Sequence, residues 1–268
     1  EHYLPTGYES KIPKKPYSIA LSLSDKIDTL VGFFGLNLKP TSSKDPYALR
    51  RFAIGLLKII LENNKVIKLR DLINYSCQLY NEQNINFDVK NIQKDLFDFL
   101  QDRFKNFMKE KEIRNDIIES ALIDYNIDKI LSIYKKTLTL NRIITKDIGK
   151  NVMFCYKRAS NILLNELKDN KINLSGTADP GLFKNEFEKK FYKKIHEIRK
   201  DFTSISREDD NEGILEVLSS SKKELDEFFD NVIVNDSDEL IKKNRLELLQ
   251  MLCKSFDNYL NFSKIESL

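Results

Sequence analysis

The chain has 268 residues, with 44 Lys and Arg against 41 Asp and Glu for a formal charge of +3, and is 41% hydrophobic and 32% charged. That length holds one large domain or two ordinary ones with a buried core, and the apolar share lies above that of disordered chains. No run approaches the roughly 18 uncharged apolar residues of a membrane span, and a charge this close to neutral argues against indiscriminate coating of nucleic acid while leaving room for a local basic face.

Only 8 Gly and 6 Pro interrupt the chain, which favours long helices over a many-turned β-fold. Residues 1–15 read as a loop, and the opening Glu1 in place of Met suggests a piece of a longer polypeptide, with no secretory signal. Pro16 then starts a helix whose apolar residues Ile19, Leu23, Ile27, Leu30 and Phe34 form one stripe, loosened by Gly32 and Gly35. After a polar loop, Asp45-Pro46 marks a helix start, and Tyr47 to Glu62 is apolar on most sides. Helical patterns continue over Leu69–Tyr80, from Val89 to Met108, over Ile117–Leu122 and over Ile127–Leu140.

The last third begins with a helix from about Lys146 to Leu167, carrying Val152, Cys155, Tyr156, Ala159 and Leu163 on one face. Residues 169–181 form a breaker-rich surface loop. Phe183 to Phe202 reads as a charged amphipathic helix, Ile214 to Val234 as the next, and Asp236 with Glu239 as a capping box launching a last helix to about Leu260. The expected fold is all-α, in two helical domains. Cys77, Cys155 and Cys253 lie far apart without a CxxC pair, which argues against a disulfide framework or a zinc knuckle and suits a reducing cytoplasm.

Three sets of residues could carry chemistry. Asp25 and Asp28 share a helix face and could serve a divalent cation or a proton transfer, or be an exposed acidic edge around Lys26. His2 is the other weak metal candidate; it is the only histidine before His196, so this segment cannot complete a His–Asp site from its own residues. Lys39, Lys44, Arg50, Arg51 and Lys58 cluster around the Pro40–Pro46 loop, where free N–H groups at a helix start could hold a phosphate; a solvated face fits as well. Lys157, Arg158 and Asn161 form a compact donor set suited to phosphates or base edges, and Asn244 and Arg245 interrupt the apolar stripe of the last helix. Such polar interruptions are either helix-to-helix hydrogen bonds or a ligand surface. No GxGxxG, GxxxxGK[ST], GxSxG or HExxH pattern is present.

Several strings resemble one family, the β subunit of bacterial tetrameric glycyl-tRNA synthetase. Ser24-Asp25-Lys26-Ile27-Asp28-Thr29-Leu30-Val31-Gly32-Phe33-Phe34-Gly35 resembles the end of its HD-like helical domain. Pro40-Thr41-Ser42-Ser43-Lys44-Asp45-Pro46-Tyr47-Ala48-Leu49-Arg50-Arg51 is similar to its PTGSKDPxALRR pattern, with Ser42 replacing the usual Gly. Lys157-Arg158-Ala159-Ser160-Asn161-Ile162-Leu163 resembles KRVSNIL, and Phe228 to Asn235 with Asn244-Arg245-Leu246 resembles the anticodon-binding domain.

The resemblance implies the end of an HD-like domain at residues 1–62, a helical connector at 63–145 and an anticodon-binding bundle at 146–268. It implies a tRNA-recognising, non-catalytic portion of an enzyme that joins glycine to tRNA(Gly), with ATP and magnesium handled by a separate α subunit in an α2β2 assembly in the cytoplasm. No membrane, DNA or cofactor of its own is expected. Asp25 falls where HD hydrolases keep their last metal-binding Asp. The implied tRNA contacts are Lys157, Arg158, Asn161, Asn244 and Arg245, together with Lys44, Arg50 and Arg51. An HD-type metal phosphohydrolase, or a helical scaffold that docks the α subunit, is the alternative.

Overall fold

The computed structural model describes residues 1, 3–7, 10–122, 126–169, 173–206 and 209–266. Among these are eleven α-helices and three short 3₁₀ turns, with no strand, and no helix is long and apolar enough to cross a membrane. The chain forms two compact units, one of Glu1–Ile118 with Leu122–Thr137, the other of Glu119–Ala121 with Leu138–Leu268.

In the first unit the stripe on α1 (Pro16–Gly35) is buried, and α1 packs on α2 (Leu49–Glu62), α3 (Leu69–Glu82) and α4 (Val89–Lys109). Leu56, Leu57 and Ile60 of α2, Ile73 of α3, and Leu96, Leu100 and Phe104 of α4 complete a core of fully buried side chains. Burial at about 1.5–3 kcal/mol for each such side chain makes this the dominant stabilising term. Gly32 and Gly35 do not loosen α1. They admit neighbouring rings: a Cβ would lie 2.4 Å from the Tyr80 hydroxyl at Gly32 and 2.6 Å from the Phe87 ring at Gly35. Residues 63–118 share this core, so the expected separate connector over 63–145 is not a body of its own; α3 and α4 bury their apolar faces on α1 and α2. Chain order continues through α5 (Asn115–Ala121) and α6 (Ile130–Ile143).

The second unit is built on α7 (Asp147–Asp169), α8 (Glu186–Ile205), α9 (Asn211–Ser219), α10 (Lys222–Asn231) and α11 (Glu239–Asp257). All five stripe residues expected on α7 are buried, with Tyr156 between Phe256 and Phe262 at 5.9 and 5.6 Å. Phe191 of α8 stacks on Phe228 of α10 at 4.9 Å.

Two expectations fail on local grounds. The single helix over Ile214–Val234 is two, because Ser219, Ser220 and Ser221 turn their hydroxyls back onto the carbonyls of Glu216, Val217 and Leu218. The expected capping box at Asp236 is replaced by Asp238, which accepts from the N–H groups of Leu240 and Ile241. A capping box does form at the start of α8, where Asn185 accepts from Phe187 and Glu188 while the Glu188 carboxylate accepts from Asn185 N–H at 3.0 Å.

Candidate nucleic-acid interface

On α7 the buried stripe fixes which residues face outward. Phe154, Arg158 and Asn161 recur at four- and three-residue steps on the opposite side, with Lys157 beside them. Phe154 is 42% exposed, Asn161 is exposed, and Lys157 and Arg158 are half-buried. Helix α10 adds Lys222, Asp226 and Phe229. The Arg158 guanidinium lies 4.4 Å over the Phe229 ring and 5.6 Å from that of Phe154, and the Lys222 ammonium lies 4.9 Å over Phe154. Asp226 receives both cations, Arg158 at 2.7 Å and Lys222 at 2.6 Å, and holds the Lys222 ammonium above the ordinary lysine range.

A half-exposed ring bordered by a guanidinium and an ammonium suits a splayed base, because an aromatic face stacks on any base and the cations meet phosphate. Lys157, Arg158 and Asn161 are the residues expected here from the sequence, and the structure sets Phe154, Lys222 and Phe229, which that reading did not single out as contacts, beside them. The spacing of Phe154 and Arg158, one turn apart on the polar face, was the available signal. A second basic surface runs from Lys184, just before α8, along that helix: Lys184, Lys190 and Lys200 are exposed and form no ion pair among the described residues, while Lys189 and Lys193 pair with Glu186 and Glu197.

Asn244 and Arg245 are corrected by their surroundings. Both are 5% exposed. Arg245 donates from Nε to Glu188 Oε1 at 2.6 Å and from Nη1 to Asp236 Oδ2 at 2.6 Å and to the Ile233 carbonyl at 2.8 Å. The backbone N–H of Asp238 and the Arg245 guanidinium hold the Asp236 carboxyl below its usual range. Asn244 pairs with the backbone of Asp179, accepting its N–H at 2.7 Å and donating to its carbonyl at 2.9 Å. Glu247, one turn on, accepts from the N–H groups of Ser175 and Gly176. These α11 residues hold the 173–179 loop, the 233–236 segment and the start of α8, and burial rather than a surface position is what sets Asn244 and Arg245 apart from the α7 residues.

In the first unit the expected basic cluster is dispersed. Lys39 pairs with Asp95 at 2.5 Å, and Lys58 is buried on the Ser10 carbonyl at 3.0 Å. Arg50 donates to the carbonyls of Thr41 and Ser42, so it braces the loop. The phosphate expected at the start of α2 has no room, because the Asp45 carboxylate already accepts from the N–H groups of Leu49 and Arg50 at 2.8 and 2.9 Å. That helix begins at Leu49 rather than Tyr47, since Ala48 is left-handed at φ 56°. Lys44 and Arg51 remain exposed.

Asp25 and Asp28 are exposed beside a groove of about 600 Å³ that runs between α1 and α3 and is lined by Leu21, Tyr75 and Leu79. Among the described residues no group of three or more His, Cys, Asp or Glu side chains could hold a metal, and the candidate His2 lies outside them.

With this geometry in hand, the comparisons with known proteins are specific. Residues 1–123 match the family model described as glycyl-tRNA synthetase beta subunit, and residues 152–268 match the DALR anticodon binding domain. The second unit therefore carries a helical domain of the anticodon-binding class over residues 152–268. Among named relatives, the glycine–tRNA ligase beta subunit of Rickettsia canadensis (strain McKiel) is 37% identical over 99% of this chain and 38% of its own length. The same subunit of Rickettsia peacockii (strain Rustic) is 36% identical, and that of Rhodospirillum centenum (strain ATCC 51521 / SW) is 32% identical, each over 99% of this chain and 37% of the relative. The chain belongs to the glycyl-tRNA synthetase beta subunit family. It spans less than two-fifths of the length of the curated relatives it matches.

Proposed function

We propose that this chain is the tRNA-recognition part of the β subunit of glycine–tRNA ligase, which attaches glycine to tRNA(Gly) at the expense of ATP. In that reading the α subunit forms the adenylate with ATP and magnesium, and the two subunits work as an α2β2 enzyme in the cytoplasm. The second unit supplies the RNA contact, and the first supports assembly. The observation that carries the reading is the half-exposed Phe154 ring bordered by Arg158 and Lys222 on the outer face of the DALR-matching unit.

Phe154 stacks on a splayed base, Arg158 and Lys222 neutralise adjacent phosphates, and Asn161 and Lys157 present hydrogen-bond donors beside them. Lys44 and Arg51 remain exposed cations that can meet backbone phosphate. Arg50 is left to the loop.

Filter binding of tRNA(Gly) across a salt series tests the proposal. Affinity that falls with salt and favours tRNA(Gly) over an unrelated tRNA is expected. Equal affinity for both would remove the specific role, and formation of glycyl adenylate by this chain alone would contradict the division of labour.

A further inference from the structure

A cleft of about 280 Å³ in the first unit lies between the entry segment, α1 and α2, with Pro5, Thr6, Asp25, Lys26, Arg51 and Phe52 among its walls. Its floor holds an unusual charge. Lys26 is 3% exposed, and its ammonium donates to Ser22 Oγ at 2.8 Å and to the Leu4 carbonyl at 3.3 Å. Both acceptors are neutral, and among the described residues no carboxylate pairs with it. Ser22 is set for this task, since its own proton goes to the Leu4 carbonyl at 2.6 Å and its lone pairs are left for Lys26.

The position is built rather than incidental. A Cβ at Gly55 would lie 2.7 Å from Lys26 Cε and 3.3 Å from Cδ, so the glycine on α2 leaves room for the lysine stem in this position. A buried ammonium without a counter-charge is costly, and burial duly holds the Lys26 pKa below the ordinary lysine range against the pull of Asp25. An ammonium has three donors, and two are used. Arg51, also on the cleft wall, is exposed and forms no ion pair among the described residues.

We propose that this cleft binds a phosphate monoester, whose oxygens take the third Lys26 proton and the Arg51 guanidinium. Asp25, on the same wall, accepts a hydroxyl of the sugar that carries the phosphate. The volume fits a phosphorylated sugar rather than a whole nucleotide with its base. The site is independent of the tRNA surface on the second unit.

The test is calorimetric titration of the full chain with ribose 5-phosphate, inorganic phosphate and ribose, beside a 5′-phosphorylated RNA trinucleotide. Saturable binding of ribose 5-phosphate, tighter than that of inorganic phosphate, is expected, with ribose inert. A response to the trinucleotide assigns the phosphate to an RNA end, and a response to the sugar phosphate alone assigns it to a small molecule; either supports the site. Lys26→Met keeps the stem against Gly55 and should weaken binding about tenfold or more, while the charge-matched Lys65→Met leaves it unchanged. Should Lys26→Met fail to fold by circular dichroism, the exposed Arg51→Gln decides: weaker binding supports the site. Absence of saturable binding by the unaltered chain, or equal binding by the Lys26 and Lys65 variants, or by Arg51→Gln and the unaltered chain, overturns it.

Discussion

Arg158 and Arg245 belong to the same unit, and both stand in strings that resemble one family, yet their surroundings assign them opposite work. The Arg245 side chain is 6% exposed and meets Glu188, Asp236 and a carbonyl. That of Arg158 is 34% exposed, shares Asp226 with Lys222, and lies over two aromatic rings. A guanidinium buried against two carboxylates and a carbonyl holds helices together. One that keeps a face toward solvent, with a half-exposed phenyl beside it, can meet RNA.

The sharpest way to break this contrast is to remove the buried partner. Arg245→Ala strands Glu188 without its cation in the core and should cost about 3–5 kcal/mol in denaturant unfolding. A loss below about 1 kcal/mol, comparable to an exposed pair, would erase the distinction. Asn244→Ala comes next, at about 1–3 kcal/mol, because the Asp179 N–H loses its acceptor and the Asp179 carbonyl keeps only the Leu182 N–H. Limited proteolysis should then cut the 173–179 loop sooner, and an unchanged pattern would argue that other contacts hold it.

The acid side of the Arg245 network has a definite sign. Asp236 has a lowered folded pKa, so its contribution is complete above about pH 4 and is lost as pH falls through the folded value. Asp236→Asn should therefore flatten that part of the stability profile and leave the slope near neutrality unchanged. The smallest effect concerns the thiols. Burial pushes Cys155 up to about 11 and Cys253 up to about 12, and it also raises Cys77. Ellman's reagent should thus label none of the three in the native chain and all three in denaturant, since the thiolate is the reacting form.

Much of the helical frame was legible because it depends on local periodicity. The stripe from Ile19 to Phe34 on α1 and the five buried residues of α7 are where their spacing puts them. What escaped depends on partners far away in the chain. Asn244 meets Asp179 across 65 residues and Arg245 meets Glu188 across 57, and no local pattern marks a polar side chain as already satisfied. Local competition was missed too. Three serines split one expected helix, Asp45 fills a helix start that could have taken phosphate, and Ala48 shifts that start by two residues through a left-handed turn. Of the expected contact residues, the α7 set keeps its surface position and the α11 pair does not, a difference set by burial alone.

The most direct measurement is tRNA(Gly) affinity for Phe154→Ala, with folding checked by circular dichroism and unfolding midpoint. The expected result is a loss of about 1–3 kcal/mol in binding, roughly 5- to 150-fold, with helicity retained. Unchanged affinity in a folded Phe154→Ala chain would contradict the assignment of the α7–α10 face to RNA.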